Sequence, residues 1–564
     1  MDEKILQLDK NAERCKKLAD ARLEKNDYLG ALGFLFSSLE SKIMPETIMA
    51  IADVYADMGL LDLSNRYWYK YMFYAPKDKV SVAYEELAIN YFYMDNLFAS
   101  GHFFRKKLEV DGYISKENID KEVIDFFSGE EYKRHAYRVV YPYDKADFTL
   151  EIKNSKRAIA LGAFDEAAKM LSEVPEECRD EEIAGDLAVA SFMNDDLDGA
   201  EKECRRSIKA HGETVTAYCN LSTVYDMKED ADKSEYYYQK ALACEKGEQG
   251  EAYKLATCAI AREDHITVKR CLETILKDRP EEINMRFFYG INLLNLGEYE
   301  KALETFKRAY RTDPFDIIIK YYIDLAISLV SGEGDKNKLL PLKYVKEIPQ
   351  KIADKWSRKI KELVKSPLKI PMAIKKKETR DILYWGMCYG EEAEMRASVF
   401  LLSLIEPKGY TKMVQNVLID PDIKDTLKRL LIYSMIVKGH RAKTAVVGGG
   451  YYVEFTPANV DASKDSNPLY FTAYALCMSK MVFYEVEDFE KIAKFSNEVY
   501  KRLKDTVTSA EATNEEVAGL IVTLCEFEKY GTIDCVAEIF GTTVKNIKRL
   551  KKIYDDYNKE DKND

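Results

Sequence analysis

The sequence predicts an all-α fold: a solenoid of paired helices, then a mostly helical C-terminal region with one short β-hairpin. Three observations carry this. The first is a period of 34 residues. Tyr299, Ala302, Phe306, Ala309 and Pro314 recur as His265, Val268, Leu272, Ile275 and Pro280, then as Ala231, Ser234, Tyr238 and Ala241, then as Leu197, Ala200, Cys204 and Ser207. The second is that each block reads as two amphipathic helices joined by a tight turn. The third is extent: about eight such blocks can be placed between residues 12 and 316, and a sustained period of this length marks a helical-repeat solenoid.

The block 283–316 is the clearest. Its first helix carries Tyr289, Gly290 and Leu293, its turn is Leu296-Gly297-Glu298, and its second helix carries Ala302, Phe306 and Ala309 before Asp313-Pro314. Small residues let the helices approach, and the aromatic rings fill the space beside them. Gly297 lets the backbone reverse, and Pro314 ends the second helix because it has no N–H to donate. Upstream blocks keep the phase with Leu255 and Ala256, with Tyr218, Leu221 and Tyr225, and with Leu187 and Ala188. Another, 33 residues earlier, has Gly162, Phe164, Ala167 and Leu171. An N-terminal set follows the same rule through Asp27, Tyr28, Ala31 and Leu35, then Tyr55, Gly59, Trp68 and Pro76, then Leu87, Ala88, Tyr91 and Phe104.

The expected organisation follows from these marks. An N-terminal array spans 12–110, an irregular connector 111–147, and a second array with a cap helix 148–332. A helical region over 340–440 includes one hairpin of the HEAT type after Met413. Residues 441–460 read as a β-hairpin turning on Gly448 to Gly450. The remainder, 461–564, reads as helical.

The repeat pattern resembles the tetratricopeptide repeat (TPR) family over a little more than half the chain, most fully in 283–316. That resemblance implies a groove lined by the first helices of the repeats. Carried over to this sequence, the peptide-groove residues are Ile152, Ile159, Val189, Phe192, Met193, Tyr253, Ile260, Phe287, Ile291 and Leu294. They are mainly apolar, which suits a helix or an extended apolar peptide. Some family members hold a terminal carboxylate with a Lys/Asn/Arg clamp. Here Lys16 is followed by Asp20 where the Asn belongs, so the clamp is not expected. The implied role is an intracellular scaffold or adaptor for a protein or peptide partner.

The last segment, Thr532 to Leu550, resembles a helix-turn-helix, with Ala537, Gly541 and Ile547 at that motif's spacing. The resemblance supplies a second reading, a nucleic-acid-associated regulator contacting DNA or RNA through Lys545, Asn546, Lys548, Arg549 and Lys552. A basic tract from Lys343 to Arg380, with thirteen Lys/Arg against four Asp/Glu, supports it, and the acidic tail at Asp555, Asp556, Glu560, Asp561 and Asp564 opposes it.

The bulk numbers exclude other classes. A net charge of −12 over 564 residues argues against a chain that coats nucleic acid along its length. The N-terminus lacks a secretory pattern, and no run of 18 apolar residues offers a membrane span. The eleven cysteines are scattered without a CxxC pair, and the five histidines lack metal-ligand spacing. The glycines at 448–450 are followed by strand-like residues, unlike a phosphate cradle. No catalytic constellation stands out. The expectation is therefore a cytoplasmic, non-enzymatic protein with no cofactor and no membrane partner; nothing in the sequence indicates an oligomeric state.

Overall fold

The structure is a computed structural model. It describes residues 2–112, 148–160, 162–334, 341–404, 414–421, 423–448, 451–463, 467–484, 486, 488–527, 530 and 532–560. The chain forms two compact units. One is discontinuous and joins Met1–Asp120 with Gln350–Asp564; the other is Lys121–Pro349.

The discontinuous unit begins with three helix pairs. These are α1 (Asp2–Leu23) with α2 (Tyr28–Ser41), α3 (Pro45–Asp57) with α4 (Leu61–Tyr74), and α5 (Ser81–Tyr93) with α6 (Leu97–Val110). Asp27 and Asn96 cap α2 and α6 by accepting from the N–H groups of Gly30 and Ala99.

Among its described residues the central unit holds five further pairs and a closing helix. The pairs are α7 (Thr149–Ala160) with α8 (Phe164–Ser172), α9 (Glu181–Met193) with α10 (Leu197–His211), α11 (Val215–Met227) with α12 (Ala231–Cys244), α13 (Gln249–Ala261) with α14 (His265–Asp278), and α15 (Ile283–Asn295) with α16 (Tyr299–Thr312). The closing helix is α17 (Ile317–Val330). The phase read from the sequence is kept to the residue, since α9, α11, α13, α15 and α17 start at 181, 215, 249, 283 and 317. Each of the first four ends in a left-handed turn residue: Asp195, Glu229, Glu263 and Gly297, with φ of 61°, 59°, 54° and 76°. Asp196, Asp230 and Asp264 follow at the next position and cap the second helices through the N–H groups of Gly199, Lys233 and Thr267.

Packing explains which residues the period repeats. Ala200, Ala241, Val268, Ile275, Ala302 and Ala309 are fully buried, because each sits where the second helix meets the first. At Gly290 a Cβ would lie 2.5 Å from the Phe306 ring, so glycine is what allows that crossing. Phe287, Phe306 and Tyr322 form a three-ring cluster with centroids 5.1 to 5.8 Å apart, tying α15, α16 and α17 together.

The C-terminal part of the discontinuous unit contains α18 (Gln350–Lys365), α19 (Lys377–Cys388), α20 (Glu392–Ser403) and α21 (Asp425–Val437). Strands β1 (Thr444–Gly448) and β2 (Tyr451–Phe455) follow, then α22 (Pro468–Met481), α23 (Phe489–Leu503), α24 (Asn514–Cys525), α25 (Ile533–Phe540) and α26 (Val544–Glu560). The strands pair antiparallel, with Val446 opposite Val453 and Gly448 opposite Tyr451. Gly448 packs against Phe483, whose ring a Cβ there would meet at 2.3 Å.

The hairpin docks on the N-terminal helices. The Tyr452 ring stacks on Tyr69 at 6.2 Å and 5°, and the Tyr451 ring meets His102 edge-on at 4.6 Å. Arg66 on α4 pairs with Asp420 at 3.5 Å, and both side chains are largely buried. The N-terminal array and the C-terminal half, whose packing together the sequence leaves open, are thus one folded unit.

The helical reading of 340–440 starts too early: residues 341–349 are non-helical, bracketed by Pro341 and Pro349, and α18 begins at Gln350. The irregular connector expected over 111–147 lies, beyond residue 112, outside the described residues, as do Gly449 and Gly450 and residues 405–413 before α21.

Candidate functional site

The residues expected to line the groove do not all reach the surface. Phe287, Ile291 and Leu294 are fully buried between helices, and Phe192 is buried at 8% exposure. Ile152, Ile159, Val189, Tyr253 and Ile260 are half-buried, and Met193 is exposed. The Tyr253 hydroxyl donates to Glu282 at 3.1 Å, and burial followed by the Glu282 charge pushes its pKa up. Tyr253 and Ile260 border the main core of this unit together with Met285, Phe288, Tyr289 and Tyr344.

Tyr344 belongs to a segment that sequence reasoning assigned to a helix. Residues 341–349 lie against α14, α15 and α17 with alternate side chains turned inward. Leu342 and Ile348 are 7% and 6% exposed, Tyr344 and Lys346 are half-buried, and Pro341, Lys343, Val345 and Glu347 are exposed. The grip on this segment is polar and specific. The Asn295 carboxamide bonds both main-chain groups of Leu342, donating to its carbonyl at 2.9 Å and accepting from its N–H at 2.7 Å. Asn292, fully buried, donates to the Tyr344 hydroxyl at 2.7 Å, and His265 Nδ1 meets the same hydroxyl at 2.8 Å. The Tyr322 hydroxyl donates to the Glu347 carbonyl at 2.9 Å. Lys346 pairs with Asp316 at 2.7 Å, where Asp316 also caps α17. A Glu347 N–H to Val345 carbonyl bond closes a tight bend within the segment.

Asn292, Asn295, Asp316 and Tyr322 were not singled out from sequence. The available signal was alternation, since Leu342, Tyr344, Lys346 and Ile348 occupy every second position between two prolines.

The C-terminal candidates divide into two groups. Helices α25 and α26 flank Gly541, which adopts φ 66°, and Ala537, Ile547 and Leu550 are buried. Asn546 donates to Glu516 on α24 at 2.6 Å, and Arg549 bonds the Glu511 carbonyl at 2.7 Å and Glu516 at 3.3 Å. Lys545, Lys548 and Lys552 are exposed.

A cleft of about 660 Å³ opens in the same unit between α20, α21 and α22. Arg429, Lys480, Tyr433, Leu430, Glu391 and Glu515 are among its lining residues. Burial, then the Arg429 charge, lowers the Lys480 pKa, while its ammonium donates to the Ile539 carbonyl at 2.7 Å. The mixed charge singles out no ligand class.

Among the described residues no cluster of His, Cys, Asp and Glu could hold a metal ion, and no helix is long and apolar enough to cross a membrane. All eleven cysteines are free thiols.

Comparison with known proteins adds to this geometry. No curated protein matches the chain. Among solved structures it is similar to yeast Tom70 (13% identity over 95% of this chain and 100% of that one, TM-score 0.27). It is similar also to a tetratricopeptide repeat protein from Parabacteroides merdae ATCC 43184 (12% identity, 56% and 99% covered, TM-score 0.27). A third is YrrB, a TPR protein with an unusual peptide-binding site (14% identity, 35% and 96% covered, TM-score 0.23). Residues 269–317 match the tetratricopeptide repeat family model. Because the helix starts hold one 34-residue phase through that segment and upstream of it, the chain carries tetratricopeptide repeats.

Proposed function

We propose that this protein is an interaction scaffold whose central helix array binds a peptide or helix from a partner protein. One observation carries the reading: the array already grips a stretch of non-helical main chain through the side-chain amide of Asn295, at 2.7 and 2.9 Å. A side chain that pairs with both main-chain groups of one residue selects for peptide as such, and the pockets beside it read alternate side chains. Val189, Tyr253 and Ile260 are half-buried and Met193 is exposed, which leaves apolar side chains on the first helices for a partner to cover. This role asks for binding and not for bond-making.

The test is selection of peptides from a displayed library on the full chain, repeated with Met193→Glu and Tyr253→Glu. Enriched peptides whose retention falls in these variants support the reading. A full chain that enriches nothing, or variants that retain the same peptides equally, contradict it. The second reading, nucleic-acid contact through α26, draws no support from the internal bonds of Asn546 and Arg549, which suit a packing role.

A further inference from the structure

We propose that residues 341–349 are a ligand held in cis, and that the strip they cover is a binding site for a partner's short non-helical peptide. The chemistry it would take is an apolar residue, a hydroxyl-bearing aromatic, a base and a second apolar residue at alternate positions. The proposal rests on the peptide-binding reading above and names the ligand class and the control of that site.

Four subsites can be read from the contacts. The first grips main chain through Asn295 while the Leu342 side chain is buried at 7% exposure. The second takes the Tyr344 hydroxyl between Asn292 and His265. The third pairs Lys346 with Asp316 at 2.7 Å. The fourth buries Ile348 at 6% exposure, beside the carbonyl that Tyr322 grips at 2.9 Å. The intervening side chains, Lys343, Val345 and Glu347, point to solvent, so a ligand's identity there is unrestricted.

A segment that served only to join two units would have no need of a main-chain clamp and a buried polar pocket. The fit is also incomplete. Asn292 is fully buried, yet its Oδ1 accepts no hydrogen bond while the segment is docked. A buried acceptor left without a donor is unfavourable, so a ligand that supplied one would bind better than the cis occupant. Tethering compensates, since a linked segment competes at an effective concentration on the order of millimolar. A partner peptide must therefore displace it.

The experiment measures binding of a fluorescent synthetic peptide of residues 341–349 to the full chain. The wild-type chain should bind it weakly. Leu342→Ala with Tyr344→Ala, which loosens the cis segment, should bind it at least about 10-fold more tightly, because the competitor's effective concentration is lost. Adding Asn295→Ala should return binding to the wild-type level. A peptide with phenylalanine in place of Tyr344 should bind about 5- to 10-fold more weakly, as expected for losing a buried hydroxyl's partners. A thermal melt checks each variant. If the double variant melts early, Lys346→Ala, which removes only the ion pair to Asp316, should still raise affinity about 3-fold. Loosened variants that bind no tighter than wild type, or binding indifferent to Asn295, would overturn the proposal. Library peptides that bind this chain without competing with the 341–349 peptide would overturn it too, and would leave the scaffold reading standing.

Discussion

Gly290 and Phe306 share one van der Waals space. A Cβ on Gly290 would lie 2.5 Å from Cε1 and 2.6 Å from Cζ of a ring with no exposure to solvent. The repeat closes because glycine leaves that space to the ring. Gly290→Ala should cost about 1–3 kcal/mol through overpacking, read as a lowered melting temperature. Gly290→Ala with Phe306→Leu should lose less than the two single changes summed, because the smaller residue vacates the contested volume.

The left-handed turns make an opposite prediction. Asp195, Glu229 and Glu263 adopt φ of 61°, 59° and 54°, the place that Gly297 fills in the next repeat. A side chain there meets its own carbonyl, a cost of roughly 1–2 kcal/mol that glycine avoids. Glu229→Gly and Glu263→Gly should each stabilise the chain by about 0.5–1 kcal/mol after the added unfolded-state entropy is counted. Chemical denaturation checks it, and Gly297→Ala should move the midpoint the other way.

Asp264 does more than cap its helix. It accepts from the Thr267 N–H at 3.1 Å, the Thr267 hydroxyl at 2.7 Å and the Tyr238 hydroxyl at 2.8 Å, the last from the preceding repeat. Burial alone would raise its pKa, but these bonds prevail and lower it. Asp264→Ala should cost about 2 kcal/mol, against about 1 kcal/mol for Asp230→Ala, which loses an exposed cap.

Glu201 supplies the pH dependence. Partial burial pulls its pKa upward, but donors on Lys228, Tyr225 and Arg205 hold it down at about 2, below its usual 4.5. The carboxylate stays ionised in the folded chain where the unfolded chain protonates it. Its stabilisation is therefore complete above pH 4.5 and is lost as pH falls toward 2. Glu201→Gln should cost about 1–2 kcal/mol at pH 7 once solvent screening is counted, and melts of the two proteins should converge as pH falls from 4.5 toward about 2.

The basic face of α26 should prove dispensable for nucleic-acid retention. Lys545→Glu with Lys548→Glu should leave retention on duplex DNA at 50 mM salt unchanged. Retention that collapses in this variant and falls steeply with salt would reinstate phosphate contact.

The repeats were legible because their defining residues are buried apolar ones at helix crossings. Ala302 and Ala309, like Val268 and Ile275 one repeat earlier, are fully buried, and a Cβ on Gly290 would meet the Phe306 ring, so the period survives in the sequence. The hairpin was legible from Val446, Val447 and the glycines after them. Its docking was not, because the Tyr69–Tyr452 stack joins residues far apart in the chain and leaves no local pattern. Groove positions carried over by resemblance mixed surface with core. Phe287 packs against Phe306 and Tyr322, so the two helices that follow bury it. The Asn295–Leu342 clamp escaped notice for a related reason: polar residues on a helix read as solvated until a partner segment is seen beside them.

Hydrogen exchange at residues 341–349 tests most directly whether the array holds peptide. The Leu342 N–H, bonded to Asn295 Oδ1 at 2.7 Å, should exchange slowly in the intact chain, and at least about 10-fold faster in Asn295→Ala, with α9 to α16 unchanged. Rapid exchange in the wild-type chain, or equal rates in both proteins, would contradict the account.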